Sequence, residues 1–255
     1  MLKTERQNAI IRKVEADKRV SIKSMKEALN VSEVTLRKDL MELEQKGFLL
    51  RTHGGAVCKQ NVQKETAVDV VSERQMEKIS AVAQRCVDLI PEYKWIYMSS
   101  GITCNEMSRH MQKCRNMNIV TSGLSTAVSL AENKELNVFV PGGYVSITSR
   151  ANYVSGDHFI KTLGTLAVDV AFVSFLGADI ENGFSVGNAN ELQLVKQIQA
   201  VSKKVIVPID SCKFGVRAFM TVAPLTYADV VVTNRDIPDE YREYFESHGI
   251  ELVLA

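Results

Sequence analysis

Five short segments of the sequence carry groups suited to holding an anion. Each is dominated by small, hydroxylated or charged residues, and each follows an apolar run. The segments are residues 99–104, 121–123, 141–143, 176–179 and 210–213. Turns of this composition that lead into helices present free backbone amides, which hold phosphate groups by directed hydrogen bonds. The chemistry that these segments predict is phosphate binding.

A single turn of small residues has a plainer explanation, because such residues also make tight connections between a strand and a helix. Five such turns in one chain, with Lys196 and Lys213 available as cations, favour a polar anion pocket instead. In open α/β sheets, ligands bind beyond the carboxyl ends of the strands. That is the position that all five segments would take.

The elements that must position these segments are predicted from the spacing of apolar residues. Short runs rich in valine and isoleucine, typical of strands buried on both faces, alternate with segments of helical periodicity. We expect strands at residues 95–98, 118–120, 136–140, 168–175, 205–209 and 230–232, and helices from about residue 74 and at 105–112, 124–131, 191–201 and 239–247. This alternation predicts an α/β fold with a mostly parallel sheet.

A second kind of chemistry is predicted at residues 32–46, where Ser32 is a suitable N-cap for a helix. The inward face of this helix would carry Leu36, Leu40 and Leu43. Its exposed face would carry Thr35, Arg37 and Lys38. A hydroxyl and two adjacent cations on the exposed N-terminal half suit a helix that enters a DNA groove.

The residues around this helix predict a winged helix-turn-helix. A shorter helix at residues 21–29 and a turn at 30–31 precede it, and an earlier helix at about 5–15 would complete a three-helix core. Residues 48–57 alternate in character and contain Gly54 and Gly55, which predicts a small β-wing. We expect Arg51, Thr52 and His53 beside the phosphate backbone of DNA.

The distribution of charge supports this interpretation over that of an ordinary amphipathic helix pair. Residues 1–60 hold 13 Lys and Arg against 8 Asp and Glu, a net charge of +5. The other 195 residues hold 18 against 22, a net charge of −4, so the whole chain is close to neutral. Positive charge gathered in one small module is typical of a DNA-binding protein.

Other classes of protein are not indicated. The first six residues include charges where a signal peptide would need an apolar core, and no apolar run approaches the roughly 18 residues of a membrane span. Five irregularly spaced cysteines suit reduced thiols, so we expect a cytoplasmic protein that does not contact a membrane. His110 and Cys114 stand four apart but have no third ligand nearby, so we expect neither a metal nor a cofactor.

The run Val31-Ser-Glu-Val-Thr-Leu-Arg-Lys-Asp-Leu40, followed by Arg51-Thr-His-Gly-Gly-Ala-Val57, resembles the DeoR family of bacterial transcriptional regulators. The resemblance implies a winged helix-turn-helix joined to an α/β sensor domain, whose fold is that of ribose-phosphate isomerase, glucosamine-phosphate deaminase and CoA-transferase. We expect a DNA-binding domain at residues 1–58, a linker at 59–73 and an effector-sensing domain at 74–255.

The resemblance also implies roles for individual residues. Those expected to bind DNA are Ser32, Thr35, Arg37, Lys38, Arg51, Thr52 and His53. Those expected to bind the effector are Ser99, Ser100, Gly101, Thr103, Thr121, Ser122, Gly142, Gly143, Asp179, Glu191, Lys196 and Lys213. The chain departs from the family pattern at four positions, with Ser99 for an aspartate, Ile102 and Cys104 for threonines, and Ser122 for an asparagine. Each departure removes or shortens a polar contact.

Three functions are therefore compared. The first is a repressor of carbohydrate-metabolism genes, a homodimer or homotetramer that binds a double-stranded operator and responds to a phosphorylated sugar or related metabolite. The second is a sugar-phosphate isomerase with an added DNA-binding module, for which Asp179 and Glu191 are the candidate carboxylates. The third is an effector-independent DNA-binding protein with a degenerate sensor. We expect the first, with no catalytic residues.

Overall fold

A computed structural model describes residues 3–17, 19–29, 31–45, 49–52, 55–58, 73–90, 94–148 and 151–255. The chain divides into two compact units, Met1–Ala67 and Val68–Ala255, and each is described by itself. The residues proposed as a linker fall almost entirely outside the described part of the chain, as do His53 and Gly54.

The N-terminal unit consists of three helices and a three-stranded antiparallel sheet. The elements are α1 (Lys3–Asp17), β1 (Arg19–Ser21), α2 (Ile22–Leu29), α3 (Glu33–Gln45), β2 (Leu49–Thr52) and β3 (Gly55–Cys58). In the sheet, β3 lies between β1 and β2. The helix-turn-helix and the wing predicted from the sequence are both confirmed, and β1 is an additional strand of the wing sheet.

Serine caps fix where the second and third helices begin. Ser21 Oγ accepts a hydrogen bond from the amide of Ser24 at 3.0 Å, and Ser32 Oγ accepts one from the amide of Thr35 at 3.2 Å. Each cap pairs one of the amides that a helix leaves without an internal partner. The apolar faces of the helices meet in one core that includes Ile10, Met25 and Leu36, all fully buried.

Polar contacts hold α1 against α3. Asp39 is almost completely buried on α3, and its carboxylate accepts hydrogen bonds from the Arg6 guanidinium and the Gln7 side-chain amide of α1. Glu42, one turn further along, accepts one from Gln7 at 3.0 Å and pairs with Lys3 at 2.7 Å. The side of α3 that carries Asp39 and Glu42 is therefore used within the unit.

The C-terminal unit is built on a seven-stranded sheet in which every strand pairing is parallel. Its strands are β4 (Trp95–Met98), β5 (Met117–Thr121), β6 (Leu136–Phe139), β9 (Val168–Phe172), β12 (Ser202–Pro208), β14 (Val230–Thr233) and β15 (Glu251–Leu254). They lie in the order β15-β14-β12-β9-β4-β5-β6. The chain builds outward from β4 in one direction and then returns to build outward from β9 in the other.

Helices cover both faces of this sheet. They are α4 (Glu73–Asp88), α5 (Ile102–His110), α6 (Leu124–Ala131), α7 (Asp157–Leu163), α8 (Glu191–Val201) and α9 (Asp239–Ser247). Successive residues of β4 alternate between two cores: Ile96 and Met98 face α4 and α5, whereas Tyr97 faces the core shared with α7, α8 and α9. This alternation is what a strand buried on both faces requires.

Two small antiparallel sheets complete the unit. A hairpin of β7 (Tyr144–Ile147) and β8 (Asn152–Ser155) follows β6, and β10 (Gly177–Asp179), β11 (Gly183–Val186) and β13 (Met220–Ala223) form the second sheet. The strands and helices expected from the sequence are confirmed to within a few residues. Neither small sheet, nor α7, nor β15 was predicted, because their runs are short or weakly periodic.

Candidate functional site

The N-terminal half of α3 presents the side chains predicted to bind DNA. Arg37 and Lys38 are exposed, and Thr35 is half-buried, with its hydroxyl 2.8 Å from that of Ser32. Arg37 donates two hydrogen bonds to Glu33, one turn earlier, at 2.9 and 2.6 Å. Val34, which sequence reasoning missed, is 78% exposed beside them. An apolar side chain here suits contact with a thymine methyl group.

The wing residues are placed only in part. Arg51 and Thr52 belong to β2, where their backbones pair with Ala56 and Gly55 of β3. Their side chains and the whole of His53 lie outside the described part of the structure. Their contacts with DNA therefore stay predictions.

The five polar segments predicted from the sequence are called the strand-end group. Its centre is the point between β4 and β9 where the order of the strands in the sheet reverses. The loops after these two strands touch: the amide of Ser174 donates to Ser99 Oγ at 2.9 Å, and a Cβ at Gly101 would stand 2.4 Å from the Cβ of Ser174. Only glycine allows this approach, which brings the N-terminus of α5 against the loop after β9. Such a switch point is where open α/β sheets bind ligands.

The first turn of α5 adds buried polar groups to this centre. Thr103 is fully buried, and its hydroxyl has no hydrogen-bond partner among the described residues. The Cys104 thiol lies 3.4 Å from Ser99 Oγ and 3.3 Å from Ser174 Oγ, and burial raises its pKa. Ser99, which stands where the family pattern has an aspartate, therefore already has partners in the Ser174 amide and the Cys104 thiol.

Lys213 lies beside the same centre. Its ammonium donates to the carbonyl of Phe175 at 3.1 Å and stands 3.5 Å from Asp210 Oδ2. Asp210 is fully buried, and neither of its carboxylate oxygens has a hydrogen-bond partner in the described structure. Lys213 is thus the cation that compensates a buried carboxylate, as well as the charged group expected to face an anion.

The loop after β5 joins this group through two contacts. A Cβ at Gly123 would stand 3.0 Å from the Cα of Ser100, so the loops after β4 and β5 lie against one another. Ser122 is buried and accepts a hydrogen bond from the Tyr97 hydroxyl at 3.3 Å, while Thr121 Oγ1 accepts one from the amide of Gly123. Tyr97 was not among the predicted residues, because its position in a buried strand indicates a core residue.

The paired glycines after β6 turn the chain into the β7–β8 hairpin. Both have positive φ, 81° at Gly142 and 137° at Gly143. A Cβ at Gly143 would stand 2.4 Å from the carbonyl oxygen of Ser155, and one at Gly142 would stand 3.8 Å from the His158 ring. Their described role is to let the hairpin fold back, and effector contact by their amides stays a prediction.

Glu191 opens α8 and lines a small cavity. Tyr153, Ser155, Phe159 and Leu194 are among the other residues around it. Asn188 donates to Glu191 Oε1 at 2.9 Å and to the Tyr153 hydroxyl at 3.0 Å. Burial raises the pKa of Glu191 to about 7. Glu191 therefore lies beside β8, which is bonded to the loop that carries Ser122.

Asp179 and Lys196 are placed elsewhere. Asp179 accepts hydrogen bonds from the amide and side chain of Asn182 in the turn between β10 and β11, and these contacts lower its pKa. Lys196 is exposed on α8 and lines a separate open cavity of about 210 Å³ with Gln199 and Thr226. No described contact brings either residue to the strand-end group, so their roles in effector binding remain untested.

A polar network that sequence reasoning missed ties the Lys213 loop to α4. Lys78 donates to Ser211 Oγ at 2.9 Å and pairs with Asp236, while its carbonyl accepts a hydrogen bond from the side chain of Asn234. Asn234 Oδ1 in turn accepts one from the amide of Ser211. The residues come from three separate segments, so nothing in their spacing pointed to the network.

Metal-binding groups and membrane-spanning helices are not found among the described residues. These residues contain no group of three or more histidine, cysteine or acidic side chains placed to hold a metal ion. None of their helices is long and apolar enough to span a membrane.

Family models match both parts of the chain. A model described as a DeoR-like helix-turn-helix domain covers residues 6–62, and one described as the DeoR C-terminal sensor domain covers residues 74–235. The chain belongs to the DeoR family.

Relatives of this DeoR-family chain are named as transcriptional regulators. It is 26% identical to the HTH-type transcriptional regulator GolR of Listeria innocua, with all of both chains covered. It is 28% identical to a putative aga operon transcriptional repressor of Escherichia coli O157:H7, over 99% of this chain and 94% of that one. It is 25% identical to the glycerol-3-phosphate regulon repressor of Escherichia coli K12, with all of both covered.

Among solved structures, ribose 5-phosphate isomerase A from Neisseria gonorrhoeae shares 14% identity with this DeoR-family chain. The match covers 58% of this chain and 56% of the isomerase, with a TM-score of 0.41. No activity follows from a likeness at that level.

The raised pKa of Glu191 predicts a pH dependence of stability in this DeoR-family protein. Between the ordinary carboxyl pKa of 4.5 and the folded value of about 7, the folded state binds more protons than the unfolded state. Stability from this residue is present below pH 4.5 and is lost as the pH rises through 7, by at most about 1.4 kcal/mol per pH unit. Glu191→Gln should flatten the urea-unfolding free energy between pH 5 and 8.

The matched control for this measurement is Glu181→Gln, which changes an exposed carboxylate. Its stability profile should run parallel to that of the wild type. A Glu191→Gln profile that also ran parallel to the wild type would contradict the assignment of the pH dependence to Glu191.

Proposed function

We propose that the protein is a homo-oligomeric repressor that binds an operator through α3 and the wing and responds to a phosphorylated sugar or polyol at the strand ends. Its domains would be residues 1–58 for DNA binding, 59–73 as a linker and 74–255 for sensing. The observation that carries the effector proposal is the convergence of Ser99, Gly101, Ser174 and Lys213 at the switch between β4 and β9.

The names of two relatives support the repressor assignment. One is the glycerol-3-phosphate regulon repressor, and the other is a putative repressor of the aga operon. Two half-sites on a palindromic operator are usually bound by two copies of a helix-turn-helix protein, which supports a homo-oligomer. Regulation of carbohydrate genes in the cytoplasm would follow from the same function.

The chemistry of the strand-end group suits a phosphate. A lysine ammonium has three donors, and the described hydrogen bond of Lys213 goes to the Phe175 carbonyl, with the Asp210 carboxylate 3.5 Å away, so a donor is left for an anion. The amides at the N-terminus of α5 would add directed hydrogen bonds and the positive end of the helix dipole. The buried hydroxyl of Thr103 would find its missing partner in the ligand.

We do not assign an isomerase activity to this group. Isomerisation of a sugar phosphate needs a base next to the carbonyl carbon of the substrate. Asp179 is held in the β10–β11 turn by Asn182, and Glu191 accepts a hydrogen bond from Asn188, which also donates to the Tyr153 hydroxyl. In this proposal Glu191 would orient a hydroxyl of a bound polyol.

Coupling between the effector and DNA is proposed to run through α4, the helix that follows the linker. Ser211 begins the 3₁₀ turn that carries Lys213, and it is bound by Lys78 of α4. An anion that draws Lys213 toward itself would therefore shift the 3₁₀ turn, and through Lys78 it would change the position of α4. A ligand shifts an equilibrium only as far as it binds one state better than the other, so this link must differ between the free and bound states.

Arg37 is predicted to read a base edge. Arg37→Ala should weaken binding by about 1–3 kcal/mol on a duplex that the wild type selects from a random pool. Arg12→Ala removes an equal, exposed charge from α1 and should cost less and equally on all sequences. Fluorescence anisotropy at several salt concentrations measures both effects. Equal losses for the two variants would count against base reading by α3.

Thr103 is predicted to bind the effector without stabilising the free protein. Thr103→Val removes a buried hydroxyl that has no described partner, so the free energy of unfolding should be unchanged or slightly larger. Binding of the sugar phosphate that most stabilises the wild type in a thermal-shift panel should weaken by about 1.5–3 kcal/mol, the value of a hydrogen bond to a charged group. Calorimetry measures the affinity.

The control for Thr103 is Thr221→Val, another buried hydroxyl without a described partner, on β13. Lys213→Ala is a poorer probe, because it would leave the buried carboxylate of Asp210 without a nearby cation. The pocket assignment fails if no sugar phosphate stabilises the wild type or if Thr103→Val binds as the wild type does.

Lys78 is predicted to couple effector binding to operator binding. Lys78→Met keeps the apolar stem but removes the contact with Ser211, so effector affinity should stay within about twofold. The change in operator affinity caused by effector, expected at about 5- to 150-fold in the wild type, should fall toward one. Arg85→Met, on the same helix but exposed, should leave the response intact. An unchanged response in Lys78→Met would exclude this route.

A further inference from the structure

The outer edge of the β7–β8 hairpin is a strand edge without a partner in the described structure. Strand β7 pairs with β8 along its whole length, from Tyr144 opposite Ser155 to Ile147 opposite Asn152. The far edge of β8 is also used, since the amide of Val154 donates to the carbonyl of Ser122 at 2.8 Å. On the other side of β7, no described strand pairs with it.

Three of the four side chains of β7 are aromatic or aliphatic and exposed to solvent, and the fourth is the half-buried Ser146. Tyr144 is 81% exposed, Val145 59% and Ile147 79%, and Phe139 at the end of the preceding strand is 43% exposed. Residues 136–148 contain no charged residue, although 24% of the chain is charged. Natural edge strands are normally protected by charges or proline, which β7 lacks. A bare apolar edge of this kind indicates a surface that is covered in the working protein.

We propose that β7 pairs antiparallel with β7 of a second copy of this chain about a two-fold axis, so that two hairpins form one four-stranded sheet. This inference rests on the proposed homo-oligomer and names its surface. A strand with no charge is complementary to itself, because two copies meet without like-charge repulsion. The same lack of charge argues against nucleic acid or a charged peptide as the occupant.

The exposed area limits the size of such an interface. With roughly 150–250 Å² for a whole aromatic side chain and about 100 Å² for valine or isoleucine, the four exposed side chains offer about 400 Å² per copy. Two copies together carry about 800 Å² of such surface, which is an upper limit because successive side chains of a strand point to opposite faces of the sheet. Counting the strand backbones and flanking polar residues, the interface is close to the lower size limit of about 1,000 Å² for a specific one.

The position of this surface would matter for regulation. Tyr153 and Ser155 of β8 line the cavity of Glu191, and β8 is bonded to the loop that carries Ser122. The proposed interface is therefore one strand away from the sensing region. A ligand that shifted β8 would alter how two copies are paired.

The test is sedimentation velocity of the full-length protein over a range of concentrations. Ile147→Lys places like charges across the pair and should raise the dissociation constant at least about 100-fold, since such a juxtaposition costs several kcal/mol. Phe219→Lys changes an equally exposed residue, also 79%, outside the hairpin and should leave the mass distribution unchanged.

Each outcome decides the matter. A wild type that sediments as a monomer at every concentration overturns this inference and the proposed oligomer together. A wild-type oligomer that Ile147→Lys leaves intact overturns only the assignment to β7. A fall in mass caused by Ile147→Lys but not by Phe219→Lys supports the pairing.

A second measurement does not depend on the folding of Ile147→Lys. Single cysteines at Tyr144, Val145, Ser146 and Ile147, introduced into a Cys58→Ser, Cys114→Ser, Cys212→Ser parent, are oxidised and examined on non-reducing gels. Directly opposite residues of an antiparallel pair have Cα atoms about 4.5–5.5 Å apart, within the range that a disulfide bridges. The residue nearest the axis should give a covalent dimer that the parent lacks. Absence of a covalent dimer from all four variants would overturn the pairing.

Discussion

Burial of the parallel sheet on both faces is the constraint on which the C-terminal unit depends. Parallel neighbours cannot be joined by a tight hairpin, so each strand is followed by a crossover that packs on one face of the sheet. All these crossovers leave from the same end of the strands. The polar turns after β4, β5, β6, β9 and β12 therefore lie at that end, and the reversal of strand order between β4 and β9 is a switch point of the kind at which open α/β sheets bind ligands.

The same burial decides how the polar groups at that end behave. Asp210 is fully buried, and a buried carboxylate without a cation is strongly destabilising, so Lys213 is held near it even before any anion binds. Thr103 is buried with its hydroxyl unpaired. The free protein thus carries a buried hydroxyl whose loss of water is not compensated by a described hydrogen bond. Under the proposed function a ligand oxygen would supply that partner, and the ligand would gain binding free energy because the hydroxyl is already ordered.

The sequence predicted the elements well and the contacts between them only in part. Periodicity and composition located six of the seven strands of the parallel sheet, the helix-turn-helix and the polar turns, because these are local patterns. Ser174, Asn188 and Lys78 were missed, since their roles arise only when distant segments fold together. Asp179 is the reverse case: a carboxylate at the end of a strand can also cap a turn, as its bonds to Asn182 show, so the sequence pattern alone does not distinguish that role from effector binding.

Helix α3 shows how the side chain proposed to read a base, Arg37, can be held in place without being fixed. Arg37 is bound to Glu33 in the free protein, and about half of each side chain is exposed. An exposed pair of this kind contributes less than about 1 kcal/mol, so it orders the guanidinium at little cost to its release. A bidentate contact with guanine is worth about 1–3 kcal/mol and would replace it. Asp39 is buried and bonded to Arg6 and Gln7, so it is not available for such an exchange. Helix α3 therefore uses one face for the core and α1, and its exposed face is the one proposed to meet DNA.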